Sequence, residues 1–184
     1  MGKRLTKIYT RTGDDGTTGL ADGSRIAKDA PRIAAIGDVD ELNSAMGLLL
    51  ATDLPEPIRS SLIAVQHDLF DLGGELSIPG HAVVSERHIV RLERELDALN
   101  AGLPALEDFV LPGGTPAAAA AHLARAVCRR AERTLATLAR AEPVAPLLLQ
   151  YLNRLSDLLF VTARALNQRA GRGDVLWEQG KSRK

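Results

Sequence analysis

Apolar residues along this chain recur at helical spacing in five stretches. The first runs from about Ala30 to Thr52, where Ile33, Ile36, Val39, Leu42, Met46, Leu49 and Leu50 step by threes and fours. Pro31 suits the first helical position. Pro55 and Pro57 open a second stretch carrying Ile58, Leu62, Val65, Leu69 and Leu72. Gly73-Gly74 and Pro79-Gly80 are expected to break or loosen the chain after it. Ser85 begins a third helix with a stripe of Ile89, Leu92, Leu96 and Leu99, and Asn100-Ala101-Gly102 ends it. A fourth is predicted from Thr115-Pro116 to about Arg140. A fifth runs from about Val144 to Ala170, where Gly171 stops it. Five helices with short connections and almost no strand signal predict an all-α, antiparallel five-helix bundle over 30–170. The tail over 172–184 is polar and expected to be loose, with Val175, Leu176 and Trp177 as the residues able to dock.

Composition narrows the class. The chain has 184 residues, so one domain over 1–184 is expected. Lys plus Arg and Asp plus Glu number 23 each, leaving no global basic field of the kind that nonspecific nucleic-acid binding needs. Aromatics are only 3%, as suits a helical bundle. Cys128 is the single cysteine, which excludes an internal disulfide and reads as a small buried residue. No apolar run approaches bilayer length, and the N-terminus lacks a secretory pattern. A cytoplasmic protein with neither nucleic acid nor membrane as partner is expected.

Chemistry concentrates in two places. Residues 7–20, from Lys7 to Leu20, hold three glycines, four threonines and two cations. Glycines let backbone N–H groups converge on an anion, and threonine hydroxyls with a cation complete a phosphate-binding set. Neither the Walker spacing nor GxGxxG is present, so by pattern alone an ordinary glycine-rich loop stands equally well. In the fourth helix, His122, Arg125, Arg129, Glu132 and Arg133 fall on one face at about 100° per residue. Leu123, Val127, Thr134 and Leu138 are expected on the opposite side. Arg129, Arg130 and Arg133 crowd like charges within two turns, which is unfavourable without a neutralising anion, and arginine suits bidentate phosphate recognition. A solvated face with ion pairs is the plainer alternative.

In the fifth helix Asn153, Asp157, Phe160 and Arg164 share a face. For Asn153 a buried contact between helices is the alternative to a ligand contact. Asp40, on the first helix, is placed to pair with one of the arginines, within one chain or across a subunit boundary. No Glu-x-x-His pair occurs, and His67, His81, His88 and His122 have no metal-ligand spacing.

Several separated segments together resemble the PduO-type ATP:cob(I)alamin adenosyltransferases. They are Lys7-Ile8-Tyr9-Thr10-Arg11-Thr12-Gly13-Asp14-Asp15-Gly16, Val39-Asp40-Glu41-Leu42-Asn43-Ser44, Phe109-Val110-Leu111-Pro112-Gly113-Gly114, the run from His122 to Arg133, and Leu152-Asn153-Arg154-Leu155-Ser156-Asp157. Their order and separations also agree, over nearly the whole chain. The resemblance implies a homotrimer with active sites between subunits, which transfers the 5′-deoxyadenosyl group of ATP to cob(I)alamin and releases triphosphate.

The resemblance further implies that residues 7–28 bind ATP through Thr10, Arg11, Thr12, Gly13, Thr18, Gly19 and Lys28. Arg129, Arg130, Ala131, Glu132, Arg133 and Asn153 join them, with Mg²⁺ carried by the ATP phosphates. Arg125 would pair with Asp40 of a neighbouring subunit. Phe109 would pack on the corrin and displace its lower axial ligand, with Phe160 in the same cobalamin pocket. A cobalamin reductase and an adenosylcobalamin-dependent enzyme are the implied partners. The chain departs from the common pattern at Arg11, where lysine is frequent, and at Leu158, where tyrosine is frequent. An ATP-binding module that delivers or senses adenosylcobalamin, with weak catalysis, is the alternative function. A structural helical oligomer is a further one, which leaves the glycine-threonine segment unexplained.

Overall fold

The computed structural model describes residues 9–78 and 80–183; Lys7, Ile8 and Pro79 of the motifs above lie outside them. Five helices dominate: α1 (Pro31–Leu50), α2 (Glu56–Ser77), α3 (Glu86–Asn100), α4 (Pro116–Ala141) and α5 (Pro146–Arg169). Their starts follow local chemistry. Pro occupies one of the first two positions of α1, α2, α4 and α5, where its missing N–H costs nothing. Thr115 caps α4 by accepting the Ala118 N–H at 3.1 Å. At the start of α3, the Ser85 N–H donates to His88 Nδ1 at 3.0 Å.

The helices alternate in direction. Asn43 and Gln66 exchange side-chain-to-backbone hydrogen bonds of 3.2 Å, joining α1 antiparallel to α2. Arg32 reaches Glu142, and Thr134 donates to Asp38 at 2.5 Å, so α1 and α4 are antiparallel too. α4 packs against both α1 and α5, and α3 packs on α5. α3 and α5 run in the same direction, as Glu93–Arg154 and Gly102–Gln168 contacts show. The core is aliphatic: Leu42, Met46, Leu62, Leu69, Leu72, Leu92, Leu135, Leu138 and Leu155 are buried. Each such side chain contributes about 1.5–3 kcal/mol by leaving water. Tyr151 is buried among them, with its hydroxyl donating to Asp68 at 2.6 Å. Burial pushes its phenol pKa up, and the Asp68 carboxylate adds to that. No helix among the described residues is long and apolar enough to cross a membrane.

Three expectations are corrected. α2 does not break at Gly73-Gly74 but continues to Ser77. Each glycine costs a helix about 1 kcal/mol, and burial outweighs this. Leu72 and Leu76 are in the core, Arg32 donates to the Leu76 carbonyl at 2.8 Å, and buried Glu75 accepts the N–H groups of Val83 and Val84 at 2.9 and 3.0 Å. A small antiparallel hairpin, β1 (Thr17–Gly19) with β2 (Arg25–Ala27), precedes α1 where almost no strand was expected. The tail, expected to be loose, is tied down through its first half at the residues named as able to dock. The Leu111 N–H donates to the Val175 carbonyl at 2.8 Å, the Trp177 N–H to the Phe109 carbonyl at 2.7 Å, and buried Arg164 pairs with Asp174 at 2.7 Å.

Candidate functional site: a threonine hairpin, an arginine face and an exposed aromatic pair

The N-terminal segment folds as a turn leading into the hairpin. Gly16 donates its N–H to the Gly13 carbonyl at 3.2 Å, and Lys28 donates its own to the Gly16 carbonyl at 2.9 Å. This brings Lys28 onto Gly13: a Cβ built on Gly13 would lie 3.0 Å from the Lys28 ammonium and 3.1 Å from the Thr17 carbonyl. Glycine is what permits that approach. Two residues of the expected phosphate set are thus adjacent. Thr10 and Thr12 join hydroxyls at 2.9 Å beside them. Arg11, between the two, sits at φ 62°, a left-handed conformation that L-residues avoid, and its guanidinium lies 5.6 Å from the Tyr9 ring centroid. Thr18 lies in β1, and Gly19 ends it opposite Arg25.

Arg25, absent from the sequence-derived set, holds the segment together. Its guanidinium donates to the Thr12 carbonyl and to the Thr17 hydroxyl, and lies 3.6 Å from Asp15. Asp15 in turn accepts the Thr17 N–H at 2.9 Å and hydroxyl at 2.7 Å, and these bonds lower its pKa. The signal available in sequence was a cation eight residues after a threonine, which becomes meaningful only once a hairpin is assigned.

On α4, Arg125 is half-buried, Arg129 and Arg133 are exposed, and Ala131 packs inward. None of these three arginines has a carboxylate within ion-pair distance among the described residues. Burial lowers the pKa of Arg125, and the Arg129 charge lowers it further. Arg130 differs from its neighbours. It forms ion pairs with Asp38 and Glu41 of α1, which corrects the expectation that it adds to an uncompensated cluster. Leu123 also departs from expectation: it is exposed rather than on the buried side, while Val127 and Leu138 are buried.

Asn153 is exposed and donates to Glu132 at 3.0 Å, so it is not a buried helix-to-helix contact. Asp40 is exposed and has no ion pair among the described residues. Among the described residues, no hydrogen bond or ion pair joins residues 10–28 to Arg125, Arg129 or Arg133. The hairpin is tied instead to the end of α2, through the Ala21 N–H and the Ser77 carbonyl at 3.2 Å.

Phe109 stands 75% exposed at the other end of α4. Its ring meets Trp177 edge-on, with centroids 6.4 Å apart and planes at 75°. The loop behind it is clamped by Asn167, which accepts the Thr115 N–H at 2.9 Å and donates to the Gly113 carbonyl at 3.0 Å. Phe160 is half-buried against His122, centroids 6.2 Å apart. Leu158 lies in the core beneath, where an apolar side chain packs without needing a polar partner.

The sequence profile of cobalamin adenosyltransferases matches residues 8–166. This chain belongs to the cobalamin adenosyltransferase family. It is 59% identical over 180 residues to the cobalamin adenosyltransferase of Cupriavidus metallidurans, covering 97% of this chain and 98% of that one. Against the corrinoid adenosyltransferase of Mycobacterium tuberculosis it is 51% identical over 193 residues, covering 100% and 98%. Among solved structures it superposes on a PduO-type ATP:corrinoid adenosyltransferase from Lactobacillus reuteri with a TM-score of 0.90 and 37% identity, covering 94% and 97%. That protein is a variant with histidine in place of a phenylalanine, complexed with cobalamin and ATP.

Proposed function

We propose that this chain transfers the 5′-deoxyadenosyl group of ATP to the cobalt of a reduced corrinoid, releasing triphosphate. The observation that carries this reading is the α4 face, where Arg125, Arg129 and Arg133 follow one another without a carboxylate partner among the described residues. Unpaired cations one turn apart repel, and a polyphosphate lying along them removes that cost. Lys28, Thr10, Arg11, Thr12, Gly13, Thr18 and Gly19 supply the complementary half of the ATP site.

ATP and cobalamin are both substrates. The reduced cobalt supplies the nucleophile, so the protein needs neither a nucleophile nor a general base. A cobalt–carbon bond forms, the bond from C5′ to oxygen breaks, and triphosphate leaves with that electron pair. Arg129, Arg133, Lys28 and the hairpin N–H groups stabilise the charge gathering on it. Glu132, held by Asn153, is left to orient the metal-bound phosphates. Mg²⁺ would be carried by the phosphate oxygens of ATP. Phe109 offers the corrin a bulky face with no ligand atom, which favours loss of the lower axial ligand and eases reduction of the cobalt.

Among the described residues of one protomer, no hydrogen bond or ion pair joins the hairpin to the arginine face, and neither Arg125 nor Asp40 has an ion pair. Both facts support a site completed between copies in a homotrimer, with Arg125 of one copy on Asp40 of the next. A cobalamin reductase upstream and an adenosylcobalamin-dependent enzyme downstream follow from the chemistry, and its ATP demand fits the cytoplasm. The test is adenosylcobalamin formation from Mg-ATP and chemically reduced cobalamin, followed by absorbance. Turnover is expected, with Arg129→Ala lowering kcat/KM for ATP by roughly a hundredfold. ATP binding without product would instead make the chain a delivery or sensing module, and an unchanged kcat/KM would remove Arg129 from the site.

A further inference from the structure

His122 is 3% exposed, and neither of its ring nitrogens has a hydrogen-bond partner. Such nitrogens are costly to bury, about as costly as a lost hydrogen bond, so a polar side chain left in this state calls for an explanation. Its surroundings do not supply one. Phe160 meets the ring edge-on at 6.2 Å, and Arg125, one turn along α4, has a buried and equally unpartnered Nε. Asp174, the acidic group facing it, is engaged by Arg164. Burial and the Arg125 charge both lower the imidazole pKa, against a smaller opposing effect of Asp174, so the ring stays neutral. A neutral imidazole offers one donor and one acceptor.

Position on α4 says which substrate it serves. Arg129 and Arg133 lie toward the C-terminal end of the helix. His122 lies toward the start, beside Phe160 and close to the tail that carries Trp177. The rim of a corrinoid bears primary carboxamides, each presenting one acceptor oxygen and an N–H donor, the complement of a neutral imidazole. We infer that His122 is a specificity-determining residue for the corrinoid, its unprotonated ring nitrogen accepting the N–H of a rim carboxamide once half-buried Phe160 turns aside. This inference rests on the function proposed above.

Trp177 is the only tryptophan, so corrinoid binding is readable as quenching of its fluorescence, without turnover. Cob(II)alamin is compared with a cobyrinate heptamethyl ester, whose rim esters accept but cannot donate, both in the presence of Mg-ATP. His122→Phe is expected to weaken cob(II)alamin binding about tenfold, the worth of one hydrogen bond, while leaving the ester and ATP affinities unchanged. His122→Gln, which keeps a donor and an acceptor, recovers most of the loss. His122→Leu serves as a second apolar replacement, with thermal melting to establish that each variant is folded. Unchanged cob(II)alamin affinity, or an equal loss for the ester or for ATP, would overturn the inference and return His122 to the core. A wild-type protein that binds neither corrinoid would defeat the proposed function instead.

Discussion

Gly114→Ala is expected to destabilise the protein by about 3–4 kcal/mol. Gly114 has φ +109°, where an L-residue is strained, and its added methyl would lie 2.1 Å from Asn167 Oδ1 and 2.4 Å from Nδ2. The backbone conformation alone costs about 1–2 kcal/mol. Relieving the overlap displaces Asn167 and breaks its bonds to the Thr115 N–H and the Gly113 carbonyl, each worth about 1 kcal/mol. For a chain of this length the sum lowers Tm by roughly 6–16 °C. Urea unfolding of the two single variants and the double variant checks the reasoning. Asn167→Ala removes the same two bonds by another route, at about 2 kcal/mol. Once it is made, Gly114→Ala adds only the backbone term, so the two fall short of additivity by about 2 kcal/mol. Strict additivity, or a loss below about 1 kcal/mol for Gly114→Ala, would refute the clamp. The same loop carries Phe109, so corrinoid adenosylation should fall further than stability alone explains.

Phe109→Ala is expected to leave ATP binding intact and slow adenosylation; equal rates in variant and wild type would remove Phe109 from the reaction. Arg25→Ala, which frees Thr12, Thr17 and Asp15 from one another, should raise KM for ATP severalfold while the melting temperature of the bundle stays nearly constant. An unchanged KM would show that the hairpin needs no such brace. The neutral, buried His122 makes stability pH-dependent. Its folded pKa is lowered, so the unfolded chain binds the extra proton first, and stability present above about pH 6.5 is lost as the pH falls from there toward the folded value. Urea midpoints between pH 7 and pH 5 should decline more steeply for wild type than for His122→Gln, and parallel slopes would count against this.

Much of the helical layout was legible because it is local. An apolar side chain every three or four residues defines a buried stripe whatever it packs against, and proline or a capping threonine marks where a helix starts. The failures were also physical. Gly73-Gly74 reads as a break from propensity, yet Glu75, Leu76 and the Arg32 contact hold that turn in the helix. The hairpin was hidden because three-residue strands carry too little periodicity to register. Leu123 was misplaced because ideal helix angles say nothing of how far a neighbouring helix extends.

Taken alone, the order of residues determined five helices, a cation-rich face on α4 and a segment rich in glycine and threonine before the first helix. The resemblance carried by those segments agrees with family membership. What the tertiary structure decided is which charges are already satisfied. Arg130 meets two carboxylates of α1, whereas Arg125, Arg129 and Arg133 meet none among the described residues. It also decided that Trp177 stands against Phe109, that Asn167 closes on Gly114, and that His122 is buried without a partner. The first two are contacts between elements far apart in the chain, and the third is set by what packs over α4. Helical periodicity specifies the face a side chain occupies, but its partner is set by packing.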